Sequence, residues 1–249
     1  MDVRCALWTE AREAIPGSGR RLHCTTARRR HDLRVAFQLV YDRYHRDGLA
    51  TWSRHGLRIL PHQLLDTSWV LLVRRGRRSL GTLSLIEDGA MGLPMEQLYP
   101  VDIWHLRRRQ TRVAELACFA LLDQPAAQSM SVLRALLQAA CEIGFRRQID
   151  ELVICVHPNR ANFYARRLGF EEFGPLRYCP WVCGQPAVAM KLTLQAGSRA
   201  TDAIARRGAH SAGCVVSAET KALRFADRAF FWRLLDETTS AARPCRIAA

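Results

Sequence analysis

At 249 residues, 49% of them apolar, the chain is long enough to bury a core, and one domain with extensions is the expectation. The formal charge is +14, and only Lys191 and Lys221 of the 37 basic residues are lysines. A field of that sign favours an acidic partner whose binding weakens with salt. No run of about 18 apolar residues and no charged-then-apolar leader occurs, so a soluble cytoplasmic protein without a transmembrane segment or signal peptide is expected.

Taken in order, residues 1–19 form an N-terminal extension, and Arg21 to Thr26 reads as a short edge strand. From about Arg28 to Arg46 the apolar positions Leu33, Phe37, Val40, Tyr41 and Tyr44 recur at helical spacing, with Gly48 as the stop. Residues 49–67 have no period and predict a long loop, a length uncommon in compact domains unless the loop binds something. Ser68–Arg74 and Ser79–Ile86 predict an antiparallel hairpin whose turn carries Arg75, Arg77 and Arg78. After a second loop over Glu87–Pro94, Met95–Arg109 predicts a helix broken near Pro100. The next strand, Thr111–Leu122, contains the single carboxylate Glu115 and is broken by Gln124-Pro125; Ser129–Phe145 is an amphipathic helix and Glu151–Val156 a buried strand. A short helix with Tyr164 closes at Gly169-Phe170. Glu171–Leu194 reads as two strands interrupted over Tyr178–Pro186. Beyond 195 the composition turns to Ala, Gly, Ser, Thr and Arg, giving a C-terminal extension over 196–249, partly disordered, with a helix near 219–235.

Several chemistries find no support. The nine cysteines are odd in number and show no CxxC or other zinc spacing, so buried reduced thiols are expected rather than a metal or redox role. The eight histidines form no metal spacing either, and His157 before Pro158 resembles a strand-end cap. No nucleophile elbow of the Gly-x-Ser-x-Gly type is present. Arginine clusters at 28–30, 74–78 and 107–112 come without a helix-turn-helix, zinc finger or aromatic RNA-binding signature, so a nucleic-acid partner is not expected.

The order strand, break, amphipathic helix, strand and Tyr-containing helix resembles the α/β (α+β) fold of the GNAT acyltransferases, a mixed, mostly antiparallel sheet flanked by helices. Within that superfamily four segments are similar to the N-acyl amino acid synthases, relatives of the acyl-homoserine-lactone synthases that make bacterial signals. They are Leu85–Tyr99, Ala114–Ala120, His157–Tyr164 and Gly184–Leu192, and the likeness covers roughly residues 20–194. The resemblance implies a catalytic domain over 20–195 that moves a fatty acyl group, a long chain by preference, from acyl carrier protein to the amine of an amino acid, with no permanently bound cofactor. The donor would be the acyl-phosphopantetheine of an acidic carrier protein, or acyl-CoA.

Such a reaction needs a base for the attacking amine, and a carboxylate in a desolvated strand is suited to that. Glu115 is the candidate; its alternative is a strand carboxylate paired with an arginine. The relatives' Glu-x-Ser-Arg-Phe-Ala pattern reads Glu115-Leu116-Ala117-Cys118-Phe119-Ala120 here, keeping Glu and Phe and replacing Ser and Arg. Tyr164 stands where the superfamily often places the acid for the departing thiolate, although the stretch to Gly169 is one residue longer than in many acetyltransferases; its alternative is packing of the last helix. Donor-binding residues implied by the likeness are Phe119, Leu121, Gln124, Gln128, Ser129 and Asn162, with Ser129 as N-cap of the long helix and its amides facing a phosphate. The loop Asp123–Ser129 lacks the glycines of acetyl-CoA enzymes, which favours a carrier-bound phosphodiester. Trp69, Leu83, Leu85 and Phe163 would join Phe119 and Leu121 as acyl-slot walls or serve as core. Tyr41, Tyr44 and Trp181 fall in segments that cover the amine side in relatives, and Arg34 either meets a substrate carboxylate or faces solvent. An acetyl-CoA-dependent acetyltransferase and an inactive binding protein of the same fold are the alternatives.

Overall fold

Among the described residues eight strands form one sheet: β1 (Leu22–Thr26), β2 (Ser68–Arg75), β3 (Arg78–Glu87), β4 (Val113–Leu121), β5 (Glu151–Val156), β6 (Glu171–Cys179), β7 (Gln185–Thr193) and β8 (Val215–Ser217). Their spatial order is β6-β7-β5-β4-β3-β2-β1-β8, antiparallel except for the parallel pairs β4·β5 and β1·β8. The helices are α1 (Arg30–Arg46), α2 (Pro100–Arg108), α3 (Ala126–Arg146), α4 (Pro158–Phe163) and α5 (Phe225–Ala241). This computed structural model describes residues 21–194, 215–217 and 223–241; the extension at 1–19, residues 219–222 of the expected helix, and Cys5, Cys214 and Cys245 lie outside the described residues.

The central hairpin shows why the sheet carries helices on both sides. In β2, Trp69, Leu71 and Val73 face α3 while Val70 and Leu72 face α1, and all five are buried. A strand apolar on both faces has to be covered twice. The apolar stripe of α3, with Val132, Leu136 and Ile143, fills one layer, and each such side chain adds about 1.5–3 kcal/mol of burial free energy. On the opposite layer α1 contributes Leu33, Phe37 and Val40. Arg74 bonds Asp32 at 2.5 Å and ties α1 to β2.

Several boundaries differ from the sequence reading, each for a local reason. The strand at 22–26 is not an edge, because β8 pairs with it through His23↔Val215. The segment after Pro94 is a short 3₁₀ turn over Pro94–Gln97 followed by α2, since Pro100 can start a helix but not sit inside one. Helix α3 starts three residues before Ser129: Pro125 is its N-cap residue, and the Ser129 amide already bonds back to the Pro125 carbonyl at 3.0 Å. Ser129 is therefore a first-turn residue and not the cap, and its hydroxyl donates to Gln124 O at 3.3 Å. The interruption between the last strands shrinks to a tight link at Pro180–Val182.

Residues 223–235 join the core on the α1 side through Leu223, Phe231 and Leu235. Phe231 of α5 is fully buried and meets Phe37 edge-to-face, with ring centroids 5.2 Å apart. Asp227 accepts from Arg30 at 2.9 Å, and Arg228 pairs with Asp66. Among the described residues no helix is long and apolar enough to cross a membrane.

Candidate active site

Strands β4 and β5 pair only at Val113↔Glu151, Ala114↔Leu152 and Glu115↔Val153. Beyond that point β4 stays with β3 as far as Leu121, and β5 stays with β7 as far as Val156, so the two strands part and leave β4 without a ladder partner on that side. Just past the parting, the register with β3 slips between Thr82 and Ser84, and Cys118 takes a left-handed φ of 53°. An extra residue in one strand bends it and re-aims its side chains. Ala117 and Cys118 consequently both lie on the α1 face, while Phe119 and Leu121 turn to the α3 face.

Glu115 sits at the last paired position, 5% exposed, with Oε2 accepting the Met95 amide at 2.7 Å. No arginine pairs with it among the described residues, so the ion-pair alternative for this carboxylate is absent there. Burial pushes its pKa up to about 8, partly opposed by the Met95 hydrogen bond. The donor of that bond is held in turn by Arg107. This guanidinium forms a fork to Asp88 at 2.7 Å on both arms and reaches Glu96 at 2.5 Å, clamping the loop that runs from β3 to the turn carrying Met95. Gly92, with φ of 66°, lets that loop close over the Glu96 carboxylate where a side chain would collide. Arg107→Ala is expected to cost roughly 2–3 kcal/mol by stranding two carboxylates, a fall in Tm of about 4–8 °C. Arg107→Lys should recover little of it, because a lysine ammonium cannot make both forks; thermal unfolding of the pair decides, and a lysine variant matching the parent would sink the clamp.

A cluster gathers on the α1 side of Glu115. Tyr44, from the last turn of α1, has its hydroxyl pKa pushed upward, first by burial and then by neighbouring Cys118. The Arg58 guanidinium lies 5.0 Å from the centre of the Tyr44 ring and donates from Nη2 to the Trp181 carbonyl at 2.8 Å. Burial raises Cys118 to about 12, with Arg58 opposing and Glu115 adding to the shift; Cys155 and Cys179 are raised for the same leading reason and also feel Glu115. These thiols are thus neutral near pH 7. Tyr164 stacks edge-to-face with Phe163 and Phe170 at 5.5 and 5.7 Å, and burial raises it to about 12. Residues Tyr164–Leu168 form a single π-helical turn, which absorbs the extra residue before Gly169. Such turns are insertions that a helix tolerates without losing its ends. His157 caps α4 by accepting the Asn159 amide at 3.2 Å.

On the far side of the parting, a cavity of about 410 Å³ opens at the start of α3, lined by Arg75, Arg78, Leu80, Asp123, Gln124 and Gln128 among others. Arg75 Nη1 reaches Gln128 Oε1 at 3.5 Å, while Arg75 Nε and both amide atoms of Gln124 are buried without partners. Asp123 is held by Arg43 and Arg46 of α1. The cavity combines a helix N-terminus with two guanidinium groups and suits a phosphate.

The structure thus brings Tyr44 within electrostatic reach of Tyr164 and of Cys118, which in turn feels Glu115, and places Gln124 and Gln128 at the cavity. Phe119, Leu121 and Phe163 pack at the margin of the α3 core, whereas Trp69, Leu83 and Leu85 are fully within it. Arg34 and Asn162 are exposed. Tyr41 accepts the Ser53 amide at 3.1 Å and stacks on His45, shaping the 49–60 loop, and Trp181 is half-exposed with its carbonyl engaged. Sequence reasoning did not single out Arg58, Cys155 or Cys179, nor place Arg75 and Arg78 at a cavity. Arg58 lies in an aperiodic loop of an arginine-rich chain, where nothing distinguishes it.

The model of the N-acyl amino acid synthase FeeM family matches residues 35–193. No curated protein matches the sequence. Among solved structures, FeeM, an N-acyl amino acid synthase from uncultured soil microbes, superposes with a TM-score of 0.62 at 24% identity, covering 71% of this chain and 92% of its own. A CoA-dependent acyl-homoserine lactone synthase, BjaI, gives 0.57 at 15% identity over 85% and 98% of the two chains. The AHL synthase LasI gives 0.57 at 17% over 81% and 100%. At these identities the structural likeness speaks for the GNAT-like fold.

Proposed function

Because the chain belongs to the FeeM family of N-acyl amino acid synthases and is an N-acyltransferase, we propose that it moves a long-chain fatty acyl group from an acyl carrier protein thioester to the amine of an amino acid in the cytoplasm, by direct attack. The observation that carries this reading is the desolvated Glu115, without an ion-pair partner among the described residues, at the point where β4 and β5 separate. The amine lone pair attacks the thioester carbonyl as its proton passes to Glu115. The carbon–sulfur bond breaks, and the departing thiolate takes a proton from Tyr164, whose burial keeps the phenol protonated. Exchange with solvent restores both groups. The unpaired edge of β4 offers backbone groups to the pantetheine amides, and Phe119, Leu121, Gln124, Gln128, Ser129 and Asn162 line the donor's course. On the acceptor side stand Tyr41, Tyr44 and Trp181, with Arg34 at the periphery.

Arg75 and Arg78 support a carrier-borne phosphodiester at the α3 cavity. Replacing both with alanine should raise KM for acyl carrier protein about tenfold with kcat held, and flatten the salt dependence of KM. Steady-state assays at two ionic strengths check this; an unchanged KM would move the donor phosphate elsewhere. If acyl-CoA saturates the enzyme at lower concentration than acyl carrier protein, the donor is coenzyme A. The reaction itself is tested by mass spectrometry of lipid extracts from cells expressing the protein and Glu115→Gln. N-acyl amino acids in the first and not the second are expected, and their absence from both would overturn the synthase reading.

A further inference from the structure

Arg58 is a cation without an anion among the described residues. Its Nε is buried and has no hydrogen-bond partner, its Nη2 spends one bond on the Trp181 carbonyl at 2.8 Å, and its planar face covers the Tyr44 ring at 5.0 Å. Those contacts come from three separated parts of the chain: the loop after α1, the link between β6 and β7, and α1 itself. They fix the guanidinium in place and leave its charge uncompensated. Glu115 does not neutralise it, since that carboxylate is occupied with the Met95 amide and forms no ion pair. Yet the two groups share surroundings, because Cys118 and Cys179 respond to both. A fixed, partly desolvated guanidinium with N–H groups to spare is the arrangement that recognises a carboxylate, and its planar fork does so with directional selectivity.

We propose that Arg58 is the carboxylate-binding residue of the acceptor pocket, taking the α-carboxylate of an amino acid so that its amine lies toward Glu115. This rests on the acyl-transfer reading above and deepens it by naming the residue that selects the acceptor: amines that carry an adjacent acid are taken, and the corresponding amides and simple amines are excluded. Arg34, exposed on α1, has no such setting.

The test compares an L-amino acid panel with the matching α-amides, in the parent protein and in Arg58→Met and Arg58→Lys. Acyl transfer is measured with both carrier-protein and CoA donors, and binding of the same small molecules by calorimetry without any donor. The parent is expected to prefer the acids over their amides by about 100-fold in kcat/KM; Arg58→Met should erase that preference through KM, and Arg58→Lys should restore part of it. If the parent acylates acids and amides equally, or if Arg58→Met keeps the preference, the assignment of Arg58 falls while the transferase reading stands. Conversely, Arg58-dependent calorimetric binding of the acids, with no transfer from either donor, would keep Arg58 and remove the reaction. An absence of both binding and transfer overturns both. Circular dichroism of Arg58→Lys separates loss of the site from loss of the fold.

Discussion

Glu115→Gln is expected to lower kcat/KM for acyl transfer by about 10²–10⁴-fold, the usual contribution of a positioned base, and to leave the protein at least as stable as the parent. The two halves follow from one fact, the burial of this carboxyl with no cation paired to it among the described residues. Its pKa in the folded protein is about 8, against 4.5 for the unperturbed group. Between those values the folded state holds a proton that the unfolded state has released. The associated stability is therefore fully present below the unfolded value and is lost as pH rises through 8. A glutamine still accepts the Met95 amide and never carries the charge. The variant's stability relative to the parent should grow as pH rises from 5 to 9, by roughly 4 kcal/mol, since each unit between the two pKa values is worth about 1.4 kcal/mol. For activity the sign reverses, because the base must be ionised: kcat/KM should rise through a midpoint near 8 in the parent. Titration of the acceptor's own ammonium would appear in both proteins, whereas the Glu115 limb disappears from the residual rate of the variant. A parent profile flat from pH 6 to 9 would remove Glu115 as the base.

Phe231→Ala should cost about 3–5 kcal/mol, the range for truncating a buried phenylalanine whose site cannot collapse. The side chain is fully enclosed between Phe37, Phe230 and the Leu33–Leu72 cluster, so its removal leaves a void walled by α1 and β2. Urea denaturation should give a lower midpoint with an unchanged slope and a Tm lower by roughly 10 °C. The effect reaches the candidate site through α1, whose N-terminal half lies under α5 and whose last turn presents Tyr44 to Arg58. A loss within 1 kcal/mol would mean that the C-terminal helix contributes little to the core and that the catalytic domain stands without it.

The sequence carried β4 and its carboxylate, the central hairpin and α3 because each is dictated by local periodicity: alternation in the strands, a 3.6-residue stripe in the helix, and a proline to end the run between them. Family-like segments carried the fold for the same reason, since strand order follows from element order once the crossovers are short. What they could not carry was anything that depends on two distant segments meeting. The bulge that turns Ala117 and Cys118 to one face is set by the register against β3, not by β4 alone. The start of α3 is hidden in the sequence because a serine three residues inside looks like a cap, whereas the extended dihedrals of Pro125 make the proline the N-cap residue. Arg58, Trp181 and Tyr44 are far apart in sequence and acquire meaning only as a set.

By itself, then, the amino-acid order determined which residues could form strands and helices, and that one carboxylate would lie in an apolar strand. Only the tertiary structure decided that this carboxylate has no counter-ion among the described residues, that its hydrogen-bond donor is held by a clamp from α2, and that the Arg58 cation stands without an anion among them. The physical reason is that periodicity is a property of neighbours along the chain, while desolvation and charge pairing belong to neighbours in space.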